Sequence, residues 1–108
     1  MNKKQAEKIE ELIAVILALK SPEEGKKFLR DLMTEQELVE FANRWTAAQM
    51  LNDKIPYTTI EKETGLSSTT VARVSKWLTT GTGGYQLMLE RLATKNHHPL
   101  SSRGKGLD

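Results

Sequence analysis

The stretch YTTIEKETGLSSTTVARVSKWL, residues 57–78, decides the fold class of this chain. Residues 57–64 are predicted to form a two-turn helix that Gly65 ends, and Ser67 is predicted to cap a second helix that runs to about residue 78. Four apolar residues have the spacing that holds two such helices at a large crossing angle: Ile60, Leu66, Val71 and Val74. The stretch therefore predicts a helix-turn-helix.

The second helix opens with four consecutive hydroxyl residues, Ser67 to Thr70. Serine and threonine are weak helix formers, so a helix that only packs in a core has little use for them. In a major-groove complex, the first turn of the second helix meets the base edges, and short hydroxyl side chains allow a close approach. The pattern therefore predicts double-stranded DNA as the partner.

A helical wheel separates the two sides of this second helix, with Val71 inside and Thr69, Arg73 and Lys76 roughly opposite. The predicted DNA-binding residues are Ser68, Thr69 and Ala72 for base edges, Arg73 and Lys76 for phosphate or guanine, Thr58 and Lys62 for the DNA backbone, and Ser67 and Thr70 beside them. For the motif taken alone, a helix cap followed by a solvated surface explains these residues equally well.

Outside this stretch, the chain has helical signals and no apolar-polar alternation longer than four residues. Apolar spacing predicts helices over residues 3–19 and 85–92, and capping-box sequences at Ser21 and Thr34 open two more. The helix after Thr34 is expected to run to about residue 52 with an inward face of Leu38, Phe41, Ala42, Trp45, Ala48 and Leu51. We predict an all-α chain of six helices, with one domain at residues 1–94 and a disordered tail at 95–108.

The first helix has an apolar stripe that extends almost around its circumference: Ile9, Leu12, Ile13, Val15, Ile16, Leu17 and Leu19. A chain of 108 residues has too small a core to cover such a helix easily. We therefore expect a second subunit to cover it. The alternative is a helix that packs between other helices of its own subunit.

The composition is that of a globular domain, with 38% hydrophobic and 28% charged residues. Residues 1–53 have 8 Lys and Arg against 10 Asp and Glu, whereas residues 54–108 have 8 against 4, so the half with the helix-turn-helix favours an anionic partner. The absence of cysteine excludes disulfides and thiolate sites. No apolar run predicts a membrane span or a signal peptide, so we expect a cytoplasmic protein without a membrane partner.

The sequence contains no residue set that predicts catalysis or a cofactor. It has no Ser-His-Asp, Walker or dinucleotide-binding pattern. His97 and His98 lack a carboxylate or cysteine partner at metal-ligand spacing. We therefore predict that the protein is not an enzyme and has no cofactor and no metal site.

Three segments together resemble the Trp repressor family, and more closely its YerC/YecD-like branch: LMTEQELVEFANRWTAAQML at residues 32–51, the opening stretch, and GTGGYQLMLERL at 81–92. The set covers about 60 residues in order and is far more specific than the helix-turn-helix alone. The resemblance implies a six-helix Trp-repressor-like fold and an intertwined homodimer. In such a dimer the first helices wrap around the partner, and the two recognition helices meet successive major grooves.

The resemblance also implies a ligand site, because Thr34, Arg44 and Arg73 match the residues that hold the amino-acid corepressor in that family. Val74, however, stands where the repressor has glycine, and Trp77 stands where it has serine. These two bulky side chains are expected to fill the space of a ligand ring. We therefore predict a recognition helix that is ordered without tryptophan. For Arg44 and Arg73, the alternative to ligand binding is an interhelical salt bridge or a helix-end contact.

We thus predict a dimeric transcriptional regulator, a repressor by resemblance, that binds a pseudo-palindromic operator with half-sites about 34 Å apart. The sequence does not identify a small-molecule effector. Two departures from the family concern DNA binding: Glu61 lies at the exposed edge of the first helix of the motif, and Pro56 replaces a hydroxyl cap. The alternative is a helical protein-interaction module that docks an acidic protein partner.

Overall fold

A computed structural model describes residues 1–96 of the chain and contains six α-helices. They are α1 (Lys3–Leu17), α2 (Pro22–Leu32), α3 (Glu35–Asn52), α4 (Tyr57–Thr64), α5 (Ser68–Thr80) and α6 (Gly84–Asn96). No strand occurs in this range, so the all-α, six-helix prediction is confirmed. None of these helices combines the length and the hydropathy that crossing a bilayer requires.

The chain divides into two compact units, Met1–Leu38 and the part that begins at Val39. In the first unit, each helix starts at a side-chain cap. The Asn2 side chain accepts from the Gln5 backbone N–H at 2.9 Å, and the Gln5 side chain accepts from the Asn2 N–H at the same distance. The Ser21 hydroxyl accepts from the Glu24 N–H, as predicted, but the Glu24 carboxylate accepts from the N–H of Lys20, one residue before the cap.

α1 has no buried residue within the single chain. Ile13 is 49% exposed and Leu17 is 79% exposed, and Ile9, Val15 and Ile16 are also exposed. Contiguous apolar surface of this kind marks interaction sites on proteins of this size. A second subunit over α1 stays a prediction.

α3 begins at the predicted capping box, in which the Thr34 hydroxyl accepts from the Glu37 N–H at 3.0 Å and the Glu37 carboxylate accepts from the Thr34 N–H at 2.9 Å. It ends at residue 52, as predicted. The predicted inward face is wrong at two positions, because Phe41 and Ala42 are exposed. Ala47, which the apolar spacing did not select, is fully buried beside Ala48.

The core of the second unit lies around the helix-turn-helix. Its buried apolar residues are Ala47, Ala48, Ile60, Leu66, Val71 and Val74, and Trp45, Met50, Leu51, Ile55 and Tyr85 pack against them. The four apolar residues that predicted the motif are therefore all buried. Ala47 and Ala48 are the contribution of α3 to this core.

Three helix ends differ from the predicted ones. α1 stops two residues early, α5 continues to Thr80, and α6 extends to Asn96. The extension of α5 is compatible with its threonines because the Thr80 hydroxyl donates to the Lys76 carbonyl at 2.9 Å, within the helix. Residues 95 and 96, predicted to be tail, are helical. The rest of the predicted tail, with His97 and His98, lies outside the described residues.

Candidate nucleic-acid interface

The turn between α4 and α5 depends on Gly65, which has φ +75°. Its N–H donates to the Glu61 carbonyl at 2.8 Å and so closes the last turn of α4. Apart from the neighbouring residues, no heavy atom lies within 4 Å of the position that a Cβ would take, so the left-handed backbone, and not crowding, favours glycine here. The predicted glycine terminator is confirmed.

Thr64 joins the end of α4 to the turn through hydrogen bonds that were not predicted from the sequence. Its hydroxyl donates to the Ile60 carbonyl at 2.7 Å and accepts from the Leu66 N–H at 3.2 Å. The residue is 8% exposed, so both bonds are largely protected from water. A hydroxyl residue directly before a helix-ending glycine is the signal that could have predicted this contact.

α5 separates its buried and exposed sides as the helical wheel predicts. Val71 and Val74 are 0% exposed, whereas Thr69, Arg73 and Lys76 are exposed. Ala72 is also exposed, on the same side as Arg73. A single face of polar and small side chains is therefore available to a partner.

The four hydroxyl residues divide into two pairs. The Ser67 hydroxyl accepts from the Thr70 N–H and also donates to the Thr70 hydroxyl, both at 3.1 Å. Ser68 and Thr69 are exposed, and neither side chain has a hydrogen bond to another described residue. Ser67 and Thr70 therefore serve as the helix cap, while the hydroxyls of Ser68 and Thr69 remain available for a ligand.

α4 places the remaining predicted DNA-binding residues, Thr58 and Lys62, at exposed positions of its first and last turns. Glu61 lies between them and is half-buried. Pro56 stands at the N-cap and forms no side-chain cap bond, as expected for a proline in place of a hydroxyl residue. The first N–H groups of α4 therefore have no side-chain acceptor within α4.

Two of the three residues matched to a corepressor site have other partners in this chain. The Thr34 hydroxyl belongs to the capping box of α3. Arg44 forms a salt bridge with Glu40 at 3.3 Å, within α3, whereas the interhelical alternative to ligand binding would pair it with another helix. Arg73 is exposed on α5.

Trp77, which we predicted to fill the ligand space, is 40% exposed. It lines an open groove together with Thr80, Gly81, Thr82, Gly84 and Tyr85. Tyr85 stacks on Trp45 with the ring centroids 6.3 Å apart. Burial raises the pKa of the Tyr85 hydroxyl, and the positive charge of Arg44 partly offsets that rise.

Comparison with known proteins agrees with this arrangement. Residues 7–93 match the family model described as Trp repressor protein. YerC of Bacillus subtilis, an uncharacterized protein, is 36% identical over 92 residues, which are 85% of this chain and 88% of that protein.

Two crystal structures have the same fold. A TrpR-like protein from Eubacterium eligens has a TM-score of 0.77 and 37% identity, over 83% of this chain and 91% of its own. A protein from Staphylococcus aureus, described as a proposed Trp repressor, has a TM-score of 0.77 and 33% identity, over 85% of this chain and 94% of its own. The chain therefore belongs to the Trp repressor family, a family of DNA-binding regulators.

Proposed function

We propose that this protein is a sequence-specific transcriptional repressor that binds double-stranded DNA through α4, the turn at Gly65, and α5. The observation that carries the proposal is the division of α5 into a buried valine side and an exposed side, on which the hydroxyls of Ser68 and Thr69 bond to no other described residue. A recognition helix needs this combination because its inner side must stay in the core while its first turn enters the major groove.

Each exposed residue has a role that follows from its position. Ser68 and Thr69 reach base edges from the first turn of α5, and Ala72 offers a methyl group to thymine one turn later. Arg73 and Lys76 bind phosphate or guanine, and Thr58 and Lys62 bind the DNA backbone from α4. Ser67 and Thr70 hold the first turn of α5 in place through their cap.

The protein acts as a homodimer in this proposal. Five large apolar side chains of α1 are exposed in the single chain, and a second copy offers the same surface for burial. Two recognition helices then face half-sites about 34 Å apart on one side of the duplex, so the operator has approximate twofold symmetry.

The regulator works without tryptophan as corepressor in this proposal. Two features support this: Val74 and Trp77 are bulky where the resemblance places glycine and serine, and Glu40 engages the Arg44 guanidinium.

Replacing Arg73 with alanine is expected to weaken binding to the best-bound duplex by about 1 to 3 kcal/mol, because one charged contact to phosphate or guanine is lost. The free energy of unfolding should change by less than about 0.5 kcal/mol, since Arg73 is exposed. Fluorescence anisotropy with a duplex selected from a random library measures the affinity. Arg30→Ala on α2 is the matched control, and equal affinities for the wild type and Arg73→Ala would contradict the assigned face.

Tryptophan at millimolar concentration is expected to leave the melting temperature of the protein within about 1 °C of its value with leucine or no amino acid, because a ligand that does not bind the folded state cannot stabilise it. Differential scanning fluorimetry without DNA measures this. A rise of several degrees with tryptophan alone would show that the ligand site is open.

A further inference from the structure

Arg44 of α3 contacts three side chains at once. Its guanidinium carbon lies 5.3 Å from the centroid of the Phe41 ring and 5.8 Å from that of the Trp77 ring. Its Nε and Nη2 atoms each lie 3.3 Å from Oε2 of Glu40. Phe41 and Glu40 are on the same helix as Arg44, so Trp77 is the member that links α3 to α5.

The geometry suits a cation–π contact between α3 and α5. A guanidinium within about 6 Å of an indole centroid is attracted by the negative face of the ring, and arginine stacks on aromatic faces better than lysine. The salt bridge with Glu40 favours one position of the guanidinium, beside the Trp77 ring. The Arg44 guanidinium is therefore already in position when the Trp77 ring packs against it.

The neighbouring residue of α3 makes a second aromatic contact. Trp45 stacks on Tyr85 of α6, while Arg44 contacts Trp77 of α5. Two consecutive residues of α3 thus contact the two helices that follow the turn. Rotation of α5 against α3 would have to break the Arg44–Trp77 contact.

We infer that the Arg44–Trp77 contact is a positioning device that sets the angle at which α5 presents its first turn, in place of a bound small molecule; this inference rests on the proposed DNA-binding function. Thr69 and Trp77 are eight residues apart on one helix, a distance of about 12 Å. A rotation of 10° about the Trp77 end moves Thr69 by about 2 Å, and a specific site tolerates only about 0.5 Å.

The test compares variants that keep or remove the aromatic face. Trp77→Leu and Arg44→Gln are each expected to weaken binding to the selected duplex about fivefold, and the double variant should be no weaker than either single one. Trp77→Phe keeps a ring for the guanidinium, so its affinity should stay within about twofold of the wild type. Arg30→Gln removes one positive charge from an exposed position of α2 and is the control for long-range electrostatics.

A second measurement needs no DNA. Hydrogen exchange of the α5 amides should be faster in Trp77→Leu and Arg44→Gln than in the wild type, and unchanged in Trp77→Phe and Arg30→Gln. Losses of affinity that multiply to about 25-fold in the double variant, or α5 exchange rates equal to those of the wild type, would overturn the inference. If the wild type binds no duplex, the proposed function fails, and the exchange rates alone decide whether the contact holds α5.

Discussion

Raising the salt concentration from 50 to 200 mM is expected to weaken duplex binding by about 10³-fold. Each chain presents three exposed cations on the proposed DNA-binding face, Lys62, Arg73 and Lys76. Two chains therefore neutralise about six phosphates, and counterion release then gives a slope of about −5.4 for log K against log salt. Fluorescence anisotropy at several salt concentrations measures the slope directly.

The same slope reports the number of chains on the DNA. A single chain would neutralise about three phosphates and lose only about 40-fold over the same range. Light scattering after size exclusion gives the oligomeric state independently. Lys76→Ala is the internal check, because it should reduce the slope by about 2 for a dimer and by about 1 for a single chain.

The salt experiment also separates the DNA-binding proposal from the protein-interaction alternative. A protein that docks an acidic partner has no reason to bind duplexes with a slope set by phosphate number. Absence of duplex binding at 50 mM salt, or affinity that does not change with salt, would contradict the proposed function. Absence of duplex binding would favour an acidic protein as the partner of α4 and α5.

Replacing Ile60 with alanine is expected to reduce the free energy of unfolding by about 2 to 5 kcal/mol. Ile60 is fully buried and is one of the largest fully buried side chains in the described part of the chain. It belongs to the cluster that contains Val71 and Val74, so its removal leaves a cavity between the two helices of the motif. A small domain has little stability in reserve, and the loss is a large fraction of the total.

Urea unfolding followed by far-ultraviolet circular dichroism measures this change. Thr59→Ala, the neighbouring exposed position on α4, is the matched control and should shift the free energy by no more than about 0.5 kcal/mol. A loss below about 1 kcal/mol for Ile60→Ala would mean that the buried cluster does not hold the motif together. Arg73→Ala should instead weaken DNA binding and leave the free energy of unfolding nearly unchanged. The two variants therefore separate folding from binding.

The most accurate predictions from the sequence concern local events. Thr34 caps α3, Gly65 ends α4 and Ser67 caps α5 as predicted, because each depends on backbone groups within four residues. The apolar spacing in α5 also selected the buried valines correctly. In α3 the same method failed at Phe41 and Ala42, since spacing cannot tell which neighbour will cover a helix face.

The roles of the hydroxyl residues show where prediction reached its limit. Their clustering indicated a function for the start of α5. It did not show that Ser67 and Thr70 form the cap while Ser68 and Thr69 are exposed, because that depends on which hydroxyl meets a free N–H. The hydrogen bonds of Thr64 depend on the path of the turn. In both cases the sequence shows the type of each side chain but not its hydrogen-bond partner.

The sequence by itself determined the helices, their caps, the turn at Gly65 and the two sides of α5, because these follow from short-range hydrogen bonding and from the helical repeat. Only the tertiary structure decided that Arg44 pairs with Glu40 and lies over Trp77, and that Trp45 stacks on Tyr85. Arg44 and Trp77 are 33 positions apart in the chain. A contact between them exists only once the packing of α5 against α3 has brought the two side chains together.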